Sequence, residues 1–285
     1  MAAHVDPADA ATGTTTVIQP SRGWVRLGLK ELWQYRELLY FLTWKDILIR
    51  YKQAVLGVAW AVLQPVMTMI VFTFIFSLVL GVKAPYGVPY PVFSFTGLLP
   101  WNLFAGSLSR SGTSLVGSAN LITKVYFPRL VIPTSAVLGG VPDFLISFLV
   151  LIALMAWYHV VPTWNVVFLP FFVLLALVTA LGVSLWLSAL NVLYRDVQYV
   201  IPFLVQLWFF LSPVTYPTSK IPAGWVSVIY NLNPMTGVIG GFRWALLGQQ
   251  APSQLFWLSA TMVLVVFTGG LYYFRRMERI FADVV

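Results

Sequence analysis

Six stretches of this chain, at about 55–80, 92–116, 134–158, 166–190, 199–216 and 254–274, are dominated by apolar residues and run near membrane-spanning length. A helix needs roughly 20 mostly apolar residues to cross a bilayer. The runs are continuous, whereas a membrane barrel would show short alternating segments, so helices are the expected form. Only 9% of the 285 residues are charged, against about a quarter in an ordinary soluble domain. The expected fold class is an all-α integral membrane protein. It would have an N-terminal interfacial amphipathic helix, six transmembrane helices and short re-entrant gate helices before the last span.

The polar remainder organises the rest. Residues 1–23 hold acids and a Thr run but no apolar core, so they read as a disordered cytoplasmic tail rather than a signal peptide. Insertion would then be directed by the first true span. Residues 24–44 mix Arg26, Lys30, Glu31, Arg36 and Glu37 with Leu29, Leu32, Trp33, Leu39 and Tyr40 at roughly helical spacing. That pattern suits a helix lying in the membrane interface. Residues 24–280 form one expected domain, and 281–285 a cytoplasmic C-terminus.

Basic residues set the orientation. With the N-terminus inside, Arg22 to Lys52, Lys124, Arg129, Arg195, Arg275, Arg276 and Arg279 are cytoplasmic, and only Lys83, Lys220 and Arg243 fall outside. The net charge of +8 is explained by this bias and by anionic headgroups, without nucleic acid.

The segment "NLITKVYFPRLVIP" (120–133) is the anomaly, being basic and aromatic between two apolar runs. Pro128 biases Phe127 away from helix, so a short helix should stop near Tyr126. An aromatic exposed beside that stop needs a pocket or the membrane surface to cover it. The segment 117–133 is therefore a candidate docking element.

Residues 217–250 are too broken for one span and too apolar for a free loop. Pro222 and Pro234 each suit a helix start, which predicts short helices at about 222–231 and 234–247. Dipping into the outer leaflet, they would form a gate hairpin, with Trp225, Tyr230, Pro234, Phe242 and Arg243 as candidate gate residues. The alternative is a loop lying on the outer surface.

Catalytic chemistry is sparse. The sequence has no phosphate-binding loop and no cysteine, and its histidines, His4 and His159, stand apart. Neither a metal cluster nor a close acid pair is evident, so an enzyme is not expected. Arg110 and Asp143 lie within apolar runs, each roughly 10–14 Å from the inner edge at about 1.5 Å per residue. On consecutive antiparallel spans they form a candidate intramembrane ion pair. Alternatively, Arg110 faces the pathway and attracts an anionic substrate. Trp60, Phe72, Phe95, Trp101, Phe104, Trp208 and Phe209 are candidate channel aromatics, although lipid contact accounts for such residues equally well. Gly57, Ala59, Ala61 and Gly139-Gly140 read as close-packing positions.

Three motifs, "RYKQAVLGVAWAVLQP" (50–65), "GLLPWNLFAGSLSRSGTSLVGSANLITKVYFPRLVIP" (97–133) and "NPMTGVIGGFRWALLG" (233–248), resemble the permease subunits of ABC exporters for polysaccharides, including O-antigen and teichoic acid exporters. The resemblance spans about residues 24–280. It implies a homodimer in the bacterial inner membrane, both termini cytoplasmic, with each chain meeting one of two ABC-type ATPase subunits. ATP and Mg would be bound by that partner, and this chain would carry no cofactor. The cargo would be a lipid-linked, O-antigen-like polysaccharide moving through a channel between the two permease chains. The coupling helix would map to Asn120 through Arg129, with Lys124, Tyr126, Phe127 and Pro128 among its contacts and the loop around Arg50, Tyr51 and Lys52 nearby. The rival readings are an ion-coupled carrier or channel working without an ATPase, and a membrane transferase.

Overall fold

The computed structural model describes residues 29–52, 57–82, 84–218, 221–222, 224–249, 251 and 254–281. The tail 1–23, Lys83 and Lys220 lie outside the described residues. All regular structure among the described residues is helical. The helices are α1 (Leu29–Gln34), α2 (Arg36–Lys52), α3 (Gly57–Phe72), α4 (Tyr90–Gly117), α5 (Ala119–Lys124) and α6 (Val131–Leu138). They continue with α7 (Val141–Trp157), α8 (Leu169–Leu193), α9 (Val197–Phe210), α10 (Trp225–Leu232), α11 (Pro234–Leu247) and α12 (Phe256–Met277).

Four helical stretches are long and apolar enough to cross a membrane: Ala59–Val79, Val131–Trp157, Trp164–Leu193 and Phe256–Ile280. Val197–Phe210 is a shorter apolar helix. α4 is longer, at 28 residues, yet is absent from that apolar set because it carries Ser, Thr, Asn and Arg. The packing explains how it tolerates them. α4 lies at the centre, against α3, α6, α7, α8, α9 and α11. Ser94, Thr96, Ser107 and Ser111 are buried on it, and hydroxyls such as Thr96 bond back to their own helix, to Val92 O at 2.8 Å. Protein rather than lipid surrounds these groups; the Ser94, Thr96 and Ser111 hydroxyls are hydrogen-bonded, and Ser107 Oγ is buried without a partner.

α8 and α12 pack closely through small residues. A Cβ on Gly182 would lie 2.8 Å from the Phe267 Cα and 2.9 Å from its N. Without a hydrophobic drive between helices in lipid, such backbone approach is what holds a pair together.

Three boundaries differ from the sequence expectation. The helix expected over 24–44 does not end at residue 44: α2 runs on to Lys52, so Arg50, Tyr51 and Lys52 are helical rather than a loop. The third apolar run is broken at Gly139-Gly140 into α6 and α7. The first run ends in a π-helical stretch, Thr73–Val79, a wider winding that occurs in short pieces within helices.

A second apolar cluster forms where the ends of α2, α4, α8 and α12 meet the 120–133 segment. Leu42, Leu115, Phe127, Leu185, Phe274 and Phe281 pack there.

Candidate functional site

The break at Gly139-Gly140 creates a polar site inside an otherwise apolar bundle. α7 restarts at Val141 with Pro in its first turn, and Asp143 falls in that same turn. A carboxylate there is favoured by the free N–H groups of the helix start. Side chains from α2 and α4 converge on Asp143. Arg50 of α2 donates to Asp143 Oδ2, and to Gly139 O at 3.1 Å. Tyr51 donates its hydroxyl to Asp143 Oδ1. Arg110 of α4 places Nη1 3.7 Å from Asp143 Oδ2 and Nε 3.4 Å from Ala136 O.

The glycines leave the space that the Arg110 guanidinium occupies. A Cβ on Gly140 would run into the Arg110 guanidinium, and one on Gly106 would come within 2.9 Å of Arg110 Nη1. Gly139-Gly140, which suited helix packing from sequence, thus makes room for an arginine and frees a carbonyl for another. Burial, reinforced by the bond to Asp143, pushes the Tyr51 phenol up to about 12. Asp46 lies nearby on α2; burial raises its carboxyl above the ordinary 3.8, against the opposing pull of Lys45, Arg50 and Arg110.

Two cavities meet at this cluster. One, of about 570 Å³, lies between α2, α4, α6 and the start of α5. The other, of about 700 Å³, lies between α3, α4 and α7 and is lined by Trp60, Gln64, Asn102 and Ser147. Arg50 and Arg110 line both.

The structure scatters the expected docking residues. α5 stops at Lys124. Tyr126 projects with 85% of its surface exposed, whereas Phe127 is 5% exposed within the second cluster. The exposed aromatic beside the helix stop is therefore Tyr126, and Phe127 is instead an anchor, turned inward among Leu42, Phe274 and Phe281. Pro128 O accepts from Val131 N at 3.0 Å, starting α6. Arg129 donates from its backbone N to Glu278 Oε1 at 2.8 Å and from its guanidinium to Glu278 O. Asn120 and Lys124 are exposed. Arg50 and Tyr51 join the Asp143 cluster rather than the surface around Tyr126, and Lys52 is exposed. Glu278 also receives Arg275, which in turn bonds Glu31 of α1. Nothing in the sequence pairs residues so far apart. The readable signs of the Asp143 site were the two charges within apolar runs, Arg110 and Asp143, and the Gly-Gly-x-Pro-Asp run that ends on the second.

Five of the aromatic candidates pack together. Phe72, Trp101, Phe104, Trp208 and Phe209 join α3, α4 and α9, with Phe104 and Trp208 centroids 5.0 Å apart and Trp101 and Phe209 at 5.5 Å. Phe95 and Phe104 are fully buried, whereas Trp60 is exposed.

In the 217–250 hairpin, Trp225 opens α10 and is exposed. Pro234 begins α11 after an Asn233 cap whose side chain accepts from Met235 N at 3.0 Å. Asn233 also accepts from Trp208 Nε1 at 2.9 Å, tying α11 to α9. Tyr230 bonds Tyr216, and Phe242 is fully buried against Phe144. Arg243 is 2% exposed. It donates to Pro213 O at 2.7 Å and Val214 O at 2.6 Å, and sits 3.8 Å over the Phe93 ring. The arginine thereby satisfies the free carbonyls of the unwound segment after α9.

Residues 37–247 match the ABC-2 type transporter family. The chain is 34% identical over 260 residues to an O-antigen export system permease protein, RfbA, of Myxococcus xanthus, covering 90% of this chain and 98% of the relative. It is 30% identical to an O-antigen export system permease protein RfbA of Klebsiella pneumoniae, covering 87% and 95%. It is 23% identical to the polysialic acid transport protein KpsM of Escherichia coli, covering 82% and 91%.

Proposed function

Because this chain belongs to the ABC-2 type transporter family, a family of multi-pass membrane permeases driven by an ATPase partner, we propose that it is the permease of a polysaccharide exporter with an O-antigen-like, lipid-linked cargo. The observation that carries the cargo class is the match to O-antigen export permeases along almost their whole length. In this reading two copies of the chain form the channel and two ATPase subunits dock from the cytoplasm, where ATP and Mg bind. The six spans are α3, α4, α6–α7, α8, α9 and α12, with α1–α2 in the inner interface and α10–α11 re-entering from outside. The termini are cytoplasmic and the membrane is the bacterial inner membrane.

The geometry supports a mechanical role for the 120–133 segment. Tyr126 and Lys124 form an exposed tip, while Phe127 and Arg129 tie its base to α12 through the second cluster and Glu278. A push on the tip is then delivered to a base held on both sides by packed helices. α6 begins directly after this base and leads into the Gly139-Gly140 break, so displacement reaches the Asp143 cluster. At the other end, Arg243 and the Asn233 cap hold the hairpin against α9 and α4. Trp60, exposed in the larger cavity, offers a flat apolar face to sugar rings.

An ion-coupled carrier would need a carboxylate free to exchange its ion; Asp143 is instead held by Arg50 and Tyr51. The test is co-expression with an ABC-type ATPase subunit from the same organism. Export of a lipid-linked glycan from inverted or intact vesicles should require both chains and ATP. Transport by this chain alone, driven by an ion gradient, would overturn the reading.

A further inference from the structure

The Asp143 cluster carries more positive charge than it neutralises. The two cavities that meet there present Lys45, Arg50 and Arg110 against Asp46 and Asp143. Of the two arginines common to both cavities, Arg50 holds Asp143 Oδ2 and Gly139 O through its Nη1. Arg110 is held less closely. Among the described residues its contacts are an ion-pair distance of 3.7 Å to Asp143 and a 3.4 Å approach to Ala136 O. A guanidinium has five N–H donors in a planar fork, so most of this one is unspent. Its side chain keeps 28% of its surface open, and that surface faces space large enough for a phosphate group. A surplus cation at membrane depth is costly unless a ligand or a partner offsets it.

We propose that Arg110, with Arg50 behind it, forms an anion site for the phosphate or diphosphate group of a lipid headgroup. On the reading above, the site lies about 10 Å from the cytoplasmic end of α4, counted as seven residues at 1.5 Å each. The smaller cavity, bordered by Lys45 and Asn120, is the approach from the headgroup layer. The larger cavity, with Gln64, Asn102 and Trp60, accepts what the phosphate carries. Planar guanidinium forks bind phosphate oxygens in pairs, which lysine cannot reproduce. This deepens the export reading by assigning where its substrate's charged group is held.

The experiment is equilibrium binding of radiolabelled farnesyl diphosphate, and separately of inorganic pyrophosphate, to the full chain in phosphatidylcholine nanodiscs. Saturable binding is expected, weakened about tenfold or more by Arg110→Gln and partly retained by Arg110→Lys. Arg276→Gln, an equal charge change at an exposed site on α12, should leave it unchanged. Ser109→Phe, which fills the larger cavity from its wall and alters no charge, should weaken the lipid probe more than pyrophosphate and covers the case of an unfolded Arg110 variant. Tighter binding of farnesyl diphosphate assigns a lipid headgroup; equal binding of both assigns the diphosphate itself, and either upholds the site. No saturable binding of either probe, or binding indifferent to Arg110→Gln and Ser109→Phe, overturns it. The assay uses no ATPase, so its failure is distinct from failure of the export reading.

Discussion

Arg110 Nη1 stands 3.7 Å from Asp143 Oδ2, within ion-pair range but beyond hydrogen-bond length, because Arg50 already holds that oxygen. The carboxylate is therefore shared unequally, and the unequal sharing gives a first prediction. Asp143→Asn should lower stability by about 2 kcal/mol, since it strands Arg50 in a partly buried site. Arg50→Gln combined with Asp143→Asn should cost less than the sum of the singles. Exchanging Arg110 and Asp143 should not restore folding, because the new arginine would face Arg50. Thermal unfolding of the purified variants in detergent checks all three; full recovery in the exchange variant would contradict the geometry.

Asp46 supplies a pH prediction. Burial holds its carboxyl above the ordinary 3.8, so the folded state binds this proton more tightly than the unfolded chain. The sign follows: the group opposes folding once ionised, fully above its folded value and not at all below 3.8. Asp46→Asn should raise the melting temperature at neutral pH, and the gain should vanish as pH falls to about 4, the ordinary carboxylate range. A gain constant with pH would rule out this linkage.

Tyr126 and Phe127 are neighbours with opposite environments, 85% and 5% exposed. Tyr126→Ala should leave the melting temperature unchanged and weaken ATPase co-purification. Phe127→Ala should destabilise by about 3–4 kcal/mol through the cavity it leaves. Melting and pull-down measured on the same preparations separate the two effects.

Gly182 faces the backbone of Phe267, with no flexible side chain to give way. Gly182→Ala should separate α8 from α12 and destabilise by about 1–3 kcal/mol, read as a lowered melting temperature. Gly240, where an added Cβ meets nothing within 4 Å, is the control: Gly240→Ala should be neutral or slightly stabilising.

Arg243 satisfies three carbonyls of the segment after α9 with one planar group. Arg243→Lys should destabilise nearly as much as Arg243→Gln, by about 2 kcal/mol or more, because an ammonium cannot reach all three in one plane. Tm values of the two variants decide it; a fully stable lysine variant would mean that charge alone suffices.

Helical spans were legible because membrane solvent imposes a one-dimensional rule: a long apolar run must satisfy its backbone internally, and only a helix does so. The two short helices between Pro222 and Gly248 were legible for the related reason that Pro and Gly punctuate backbone locally. The break at Gly139-Gly140 was less so, since glycine pairs serve both close packing and interruption. Phe127 was the clearest limit. The proline after it sets its backbone, but whether its ring meets solvent or Phe274 depends on helices more than 140 residues away in sequence. The same holds for Arg50, whose basic surroundings read as surface and whose partner Asp143 lies 93 residues on. Composition, run length and local breakers thus determined that this chain is a helical membrane protein, and approximately where each helix lies. Only the tertiary structure decided which charges meet, since ion pairing and burial depend on the distance between helices and on the space left by glycines such as Gly106 and Gly140, and neither is a local property of the chain.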